Sequence, residues 1–138
     1  MATKIDITPL TNALRRLEEG WTRYAADTSD TQIRDGLIQR FEFTYELSHK
    51  MLKRYLESVS ATPDEYDTMS FQDLIRSANE QALLAGDWGA WRGFRDMRAK
   101  TSHTYDESVA VAVVAGIPAF IREARYLVDQ LTHRLAHQ

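Results

Sequence analysis

Residues 29–58 read SDTQIRDGLIQRFEFTYELSHKMLKRYLES, a stretch with no proline and a single glycine, Gly36. Ile33, Leu37, Phe41, Tyr45, Leu52, Tyr55, Leu56 and Val59 recur at helical spacing and form one apolar stripe. Phe43, Leu47 and Met51 form a second. The period is that of a helix rather than a strand, so this is one long helix. Ser29 and Gln32 have capping-box spacing, which predicts the start at Ser29 and the end near Ser58. A helix apolar on two sides needs two neighbours. Either a partner subunit covers the second stripe, or the helix is central in a single-chain bundle.

The flanking sequence repeats the helical period. Upstream, Thr8 is placed as N-cap with Pro9 at the first helical position, followed by Leu10, Leu14, Leu17, Trp21 and Tyr24. Ala25 to Asp30 reads as a turn. Downstream, Ser60 to Thr68 contains Pro63 and reads as an exposed loop. Ser70 caps a third helix through Leu84, with Phe71, Leu74, Ile75, Ala78, Ala82 and Leu83 inward and Ala85, Gly86 and Asp87 ending it. Trp88, Trp91, Phe94 and Met97 cover one half of a fourth helix that ends near Ala99. The last helix runs to about Leu135, with Val109, Val113, Phe120, Ala124, Leu127, Val128 and Leu131 inward and Pro118 as a kink or a break in hydrogen bonding. The class is all-α, about five helices in one domain spanning residues 1–138.

Composition narrows the function. Hydrophobic residues make up 43% and charged residues 27%, the balance of a chain that folds around a core. A net charge of -3 argues against coating nucleic acid by bulk charge but leaves room for a local basic site. With no cysteine, disulfides and thiolate metal sites are excluded, and a reducing cytoplasm is the simplest compartment. MATKIDITPL lacks the apolar core of a signal peptide. The uncharged run from Ser108 to Ile121 is shorter than the roughly 20 residues a membrane helix needs, so no membrane partner is expected.

The chemistry concentrates in RDMRAKTSHTYDE, Arg95 to Glu107. A guanidinium is a fork of donors matched to phosphate oxygens, an imidazole moves protons near neutral pH, and a phenol can be modified. Arg98 falls inside the apolar arc of the fourth helix, so it must be paired or face an interface or pocket. Thr104 and Glu107 have capping-box spacing, which places Tyr105 in the first turn of the last helix, where backbone amides favour a phosphate. Two weaker constellations stand beside it. Glu46 and His49 have the Glu-x-x-His spacing of di-iron bundles, but the chain carries one such pair where those sites use two. Glu46 with Lys50 as a surface ion pair explains the same residues. His133 and His137 are read as a helix end favoured by the dipole. No metal site and no cofactor are expected. On residue chemistry alone, an arginine paired with a carboxylate and a histidine near a turn remain an adequate reading.

RAKTSHTYDE resembles the Arg-x4-6-His and His-x-Tyr signature of the HEPN (higher eukaryotes and prokaryotes nucleotide-binding) domain. FEFTYELSHKMLKRYLE, Phe41 to Glu57, is similar to the second helix of its nucleotidyltransferase substrate-binding subgroup. The resemblance extends from about Leu10 to Leu131. It implies an up-and-down antiparallel bundle of about five helices that pairs as a homodimer, with the motifs of both chains in one cleft. It implies a partner, a minimal nucleotidyltransferase antitoxin, and a toxin that is a metal-independent ribonuclease acting on RNA. Arg98 would hold the phosphate, His103 would be the general base or acid, and Tyr105 would accept AMP and silence the site. Arg95, Asp96 and Ser102 would support it. The alternative is a non-catalytic subunit that binds the nucleotidyltransferase or its substrate. The chain departs from the pattern at Ala99, where the family carries Asn, Asp or His. Asp96, Thr101 and Ser102 are the candidates to replace that polar group.

Overall fold

In the computed structural model, which describes residues 5–137, five α-helices follow in order. They are α1 (Thr8–Ala26), α2 (Thr31–Val59), α3 (Phe71–Glu80), α4 (Trp88–Lys100) and α5 (Glu107–Ala136). Two 3-10 turns, Pro63–Asp67 and Thr101–His103, lie in the connections. No strand occurs among the described residues. Met1 to Lys4, part of the N-terminal stretch read above, and Gln138 lie outside them.

Side-chain pairs give the helix directions. Arg40 reaches back to the Arg16 carbonyl while Leu37 lies against Gly20, so α1 and α2 run antiparallel. Glu46 meets Arg98 while Glu42 meets Thr101, so α4 is antiparallel to α2. Trp91 bonds Glu123 and Phe94 packs on Phe120, so α5 is antiparallel to α4. The four long helices thus alternate up and down, and α2 and α5 are parallel. Arg34 of α2 joins Glu107 of α5 at one end, and Arg134 lies over the Tyr55 ring at the other.

The core follows the apolar periods. Leu10, Leu14 and Leu17 of α1 are fully buried, as are Leu37, Phe41, Leu52 and Leu56 of α2. Phe41 meets Phe120 edge-on at 5.0 Å, and Trp91 meets Phe94 at 5.4 Å. α2 therefore sits centrally within its own chain, and the second stripe divides. Met51 is buried, Leu47 is half-buried, and Phe43 is 50% exposed. Val59, read as inward, is exposed because it is the last residue of the helix.

α4 is pressed tightly into place. The buried Glu123 carboxylate accepts the Gly86 N–H (2.8 Å) and the Trp91 indole N–H (2.7 Å). A Cβ on Gly86 would lie 2.9 Å from the Ala90 Cβ, so this approach requires glycine. Lower down, Met97 packs so closely on Gly116 that a Cβ there would come within 2.5 Å of its sulfur. α5 continues through Pro118 as one helix. Among the described residues, no helix is long and apolar enough to cross a membrane.

Several boundaries differ from the sequence reading, each for a local reason. Thr8 is the first helical residue rather than the cap, and its N–H is taken by the Asp6 carboxylate at 2.9 Å. Asp30, not Ser29, caps α2, accepting the Gln32 and Ile33 amides; the Ser29 hydroxyl is diverted to Asp27 at 2.6 Å. The Ser60 to Thr68 stretch is not fully exposed, because Tyr66 is buried with its hydroxyl 2.9 Å from that of Ser77. α3 stops at Glu80 rather than Leu84. The Leu83 N–H bonds the Ala78 carbonyl and the Ala82 N–H bonds the Asn79 carbonyl, a Schellman ending with Ala82 at φ 57°. Ala82 is therefore exposed rather than inward, while Leu83 and Leu84 are buried from the connection.

Candidate functional site

The motif arginine stands at the end of α4, against the middle of α2. The Arg98 Nε and Nη2 both donate to Glu46 Oε1, at 3.1 and 2.5 Å. Its Nη1 donates to the Thr101 hydroxyl at 3.2 Å and lies 3.5 Å from Glu42 Oε2. Thr101 is itself 2.7 Å from Glu42. Glu42 and Glu46 are one turn apart on α2, so they meet the guanidinium from a single helix face. The hydrogen bond to Glu46 pushes the Arg98 pKa up, partial burial opposes this, and the nearby Glu42 charge adds to the upward shift.

This arrangement overturns one sequence expectation and bears on others. Glu46 pairs with Arg98 across the bundle rather than with Lys50 along the helix. His49 packs its ring on Phe71 at 4.8 Å instead of pointing to a shared site with Glu46. Among the described residues, no three His, Cys, Asp or Glu side chains gather as metal ligands. Of the candidates to replace the missing polar group at Ala99, Thr101 touches Arg98. The Ser102 hydroxyl turns to the Ala99 carbonyl at 3.3 Å, and Asp96 is exposed. Arg95 lies over the Trp88 ring at 4.9 Å.

His103 closes the 3-10 turn that follows α4 and is exposed. Its ring meets that of Tyr105 edge-on at 6.0 Å. Tyr105 is 87% exposed. It is not in the first turn of α5, because Asp106 rather than Thr104 caps that helix. The Asp106 carboxylate accepts the Ser108 amide (2.9 Å) and hydroxyl (2.7 Å). Glu107, the other half of the expected capping box, reaches across to Arg34 at 2.6 Å. The helix-terminus amides expected to favour a phosphate beside Tyr105 thus already face a carboxylate.

Glu42 and Glu46, as the partners of Arg98, were what sequence reasoning missed. The signal was present in part. An arginine on an apolar arc demands a carboxylate, and two glutamates at i and i+4, each one residue beyond Phe41 and Tyr45 of the apolar stripe, were an available pair.

Known proteins resemble this chain in sequence and in fold. Residues 5–133 fit the family model described as "Nucleotidyltransferase substrate binding protein like". The chain belongs to the nucleotidyltransferase substrate-binding protein family. A curated relative from Haemophilus influenzae, named "Probable ribonuclease HepT", is 46% identical over 99 residues, 72% of this chain and 67% of the relative. A solved H. influenzae structure is described as the fold of a substrate binding domain of a nucleotidyltransferase. It superposes with a TM-score of 0.86 at 36% identity, covering 92% of this chain and 99% of that one. A crystal structure from Thermus thermophilus matches with a TM-score of 0.69 at 31% identity, covering 88% of this chain and 98% of that one.

Proposed function

We propose that this protein is the HEPN subunit of a toxin–antitoxin pair, a metal-independent ribonuclease silenced by AMP transfer from a partner nucleotidyltransferase. One observation carries the reading. A guanidinium held in fixed orientation by Glu42, Glu46 and Thr101 lies just before an exposed imidazole and an exposed phenol, in a chain related to a named ribonuclease.

In the proposed reaction, His103 takes the proton from an RNA 2′-hydroxyl, whose oxygen attacks the adjacent phosphorus. The bond to the 5′-oxygen breaks, that oxygen takes up a proton, and a 2′,3′-cyclic phosphate and a 5′-hydroxyl remain. Arg98 stabilises the charge gathering on the phosphoryl oxygens. Silencing follows when the Tyr105 oxygen attacks the α-phosphorus of ATP bound by the partner, forming a phosphodiester and expelling pyrophosphate. The phenol exposed at 87% is open to such a partner. The working unit is a cytoplasmic homodimer of one HEPN-like domain per chain, with the motifs of both chains in one cleft.

The experiment is cleavage of cellular RNA in EDTA, with the ends examined. Cyclic phosphate ends are expected, and activity that returns only with magnesium overturns the mechanism. Co-expression with a partner nucleotidyltransferase should add AMP units in intact mass, lost in Tyr105→Phe.

A second reading has its own support. Glu46 and Glu42 occupy the donors a phosphate would need, and Ala99 lacks the family's polar group. A non-catalytic subunit that binds the nucleotidyltransferase or its substrate fits those two facts. It predicts no cleavage by the dimer at any salt concentration.

A further inference from the structure

The α1–α2 face carries an open groove of about 870 Å³. Its sides hold three cations, Arg16, Arg40 and Lys50, and its apolar surface includes Phe43 and Leu47. Among the described residues that line it, Glu46 alone is acidic, and its carboxylate already binds Arg98. A chain of net charge -3 therefore presents a locally basic strip here, bordered by Glu46, the partner of the motif arginine. Arg16 and Lys50 are exposed, and Arg40 is anchored, donating one nitrogen to the Arg16 carbonyl at 2.7 Å. The depression continues past Gly36 and Arg40 into a smaller one of about 340 Å³, where Arg23 stands with the capping Asp30. From Ile33 to Lys50 the floor runs roughly 25 Å along α2, at about 1.5 Å per residue.

We infer that this groove binds single-stranded RNA and leads it to Arg98, an inference that rests on the ribonuclease reading. The charge complementarity is direct: spaced cations suit a phosphate backbone. A half-exposed phenylalanine between them offers the stacking face that single-strand binding surfaces use. A second copy of this chain fits poorly. A two-fold contact centred on the groove would set the same cations against one another.

The test uses the full chain carrying His103→Ala, with a short fluorescein-labelled single-stranded RNA in EDTA, followed by anisotropy across a salt series. Arg16→Glu combined with Lys50→Glu should weaken binding at least about ten-fold and shallow the salt dependence by about 0.7 per lost phosphate contact. Phe43→Ala should weaken it roughly 5- to 100-fold. Arg76→Glu on α3, paired with Asp73 on its own helix, should leave it unchanged. Circular dichroism and light scattering on each variant establish that fold and oligomeric state persist. If the groove variants bind RNA like the parent while Arg98→Ala does not, the groove assignment fails and the ribonuclease reading stands. Failure of the parent to bind RNA in low salt removes both. If the groove variants keep RNA but lose the nucleotidyltransferase, or change the chain's own mass in solution, the groove is a protein interface and the inference is overturned.

Discussion

At the scale of single residues, Arg98 and His103 differ in what holds them, and their variants should differ accordingly. Arg98 is tied to α2 through two carboxylates, whereas no hydrogen bond engages the His103 ring among the described residues. Arg98→Ala is expected to weaken RNA binding and cleavage together, because it removes a phosphate ligand. His103→Ala should lower the cleavage rate by about 10²- to 10⁴-fold, the usual scale of one acid–base group, while RNA affinity holds. Single-turnover kinetics with separately measured affinity distinguish the two; full cleavage by His103→Ala would end the ribonuclease assignment. Glu123 carries a different burden. It satisfies the half-buried Gly86 amide and the buried Trp91 indole, so Glu123→Ala orphans one buried donor and one half-buried donor. At about 1–3 kcal/mol for the buried one, urea denaturation should show a loss of at least about 1 kcal/mol.

At the scale of elements, the endings of helices mattered more than their existence. The apolar periods identified all five helices, because a stripe every three or four residues cannot be satisfied by a strand. The ends depend on competition among short polar side chains. Asp27, Ser29 and Asp30 all crowd one turn, and only the folded turn selects Asp30 as the cap. Thr104 lost to Asp106 because Glu107 found Arg34 on another helix. The α3 ending was illegible because it uses alanine where a left-handed cap favours glycine. Ala82→Gly relieves that backbone at φ 57° and should raise unfolding stability by roughly 0.5–1 kcal/mol. Chemical denaturation of the variant checks this, and a loss of stability would mean that Ala82 is not strained.

At the scale of the molecule, acid should loosen the bundle through His49. Burial against Phe71 and the nearby Lys53 charge both lower its pKa from 6.5. The unfolded chain therefore takes up this proton first as pH falls. The contribution is fully present above about pH 6.5 and is lost as pH drops from there toward the lower folded value. Thermal unfolding from about pH 8 to 5 should show the decline, and His49→Gln should flatten it over that window. A slope unchanged in the variant would assign it to other groups. Assembly is the other property at this scale. Light scattering over a dilution series should give the mass of two chains at tens of micromolar, as the proposed shared cleft requires. A mass of one chain throughout would leave each motif alone on its own bundle.

The sequence by itself determined the all-α class, the five helices, their buried faces and the family, because each depends on side-chain periodicity or on short local motifs. It also located Arg98, His103 and Tyr105 and required that Arg98 be paired. Only the tertiary structure decided the partner. Glu46 lies 52 residues from Arg98 in the chain and Glu42 lies 59 from Thr101, yet Glu42, Glu46 and Thr101 all meet at the Arg98 guanidinium. The groove beside them was equally hidden, since Arg16 comes from α1 and Arg40, Phe43 and Lys50 from α2. Periodicity reports which face of a helix turns inward. Which side chains from distant segments come within hydrogen-bonding reach of each other is set by how the helices cross, and that depends on close approaches such as Gly116 against Met97 and Gly86 against Glu123.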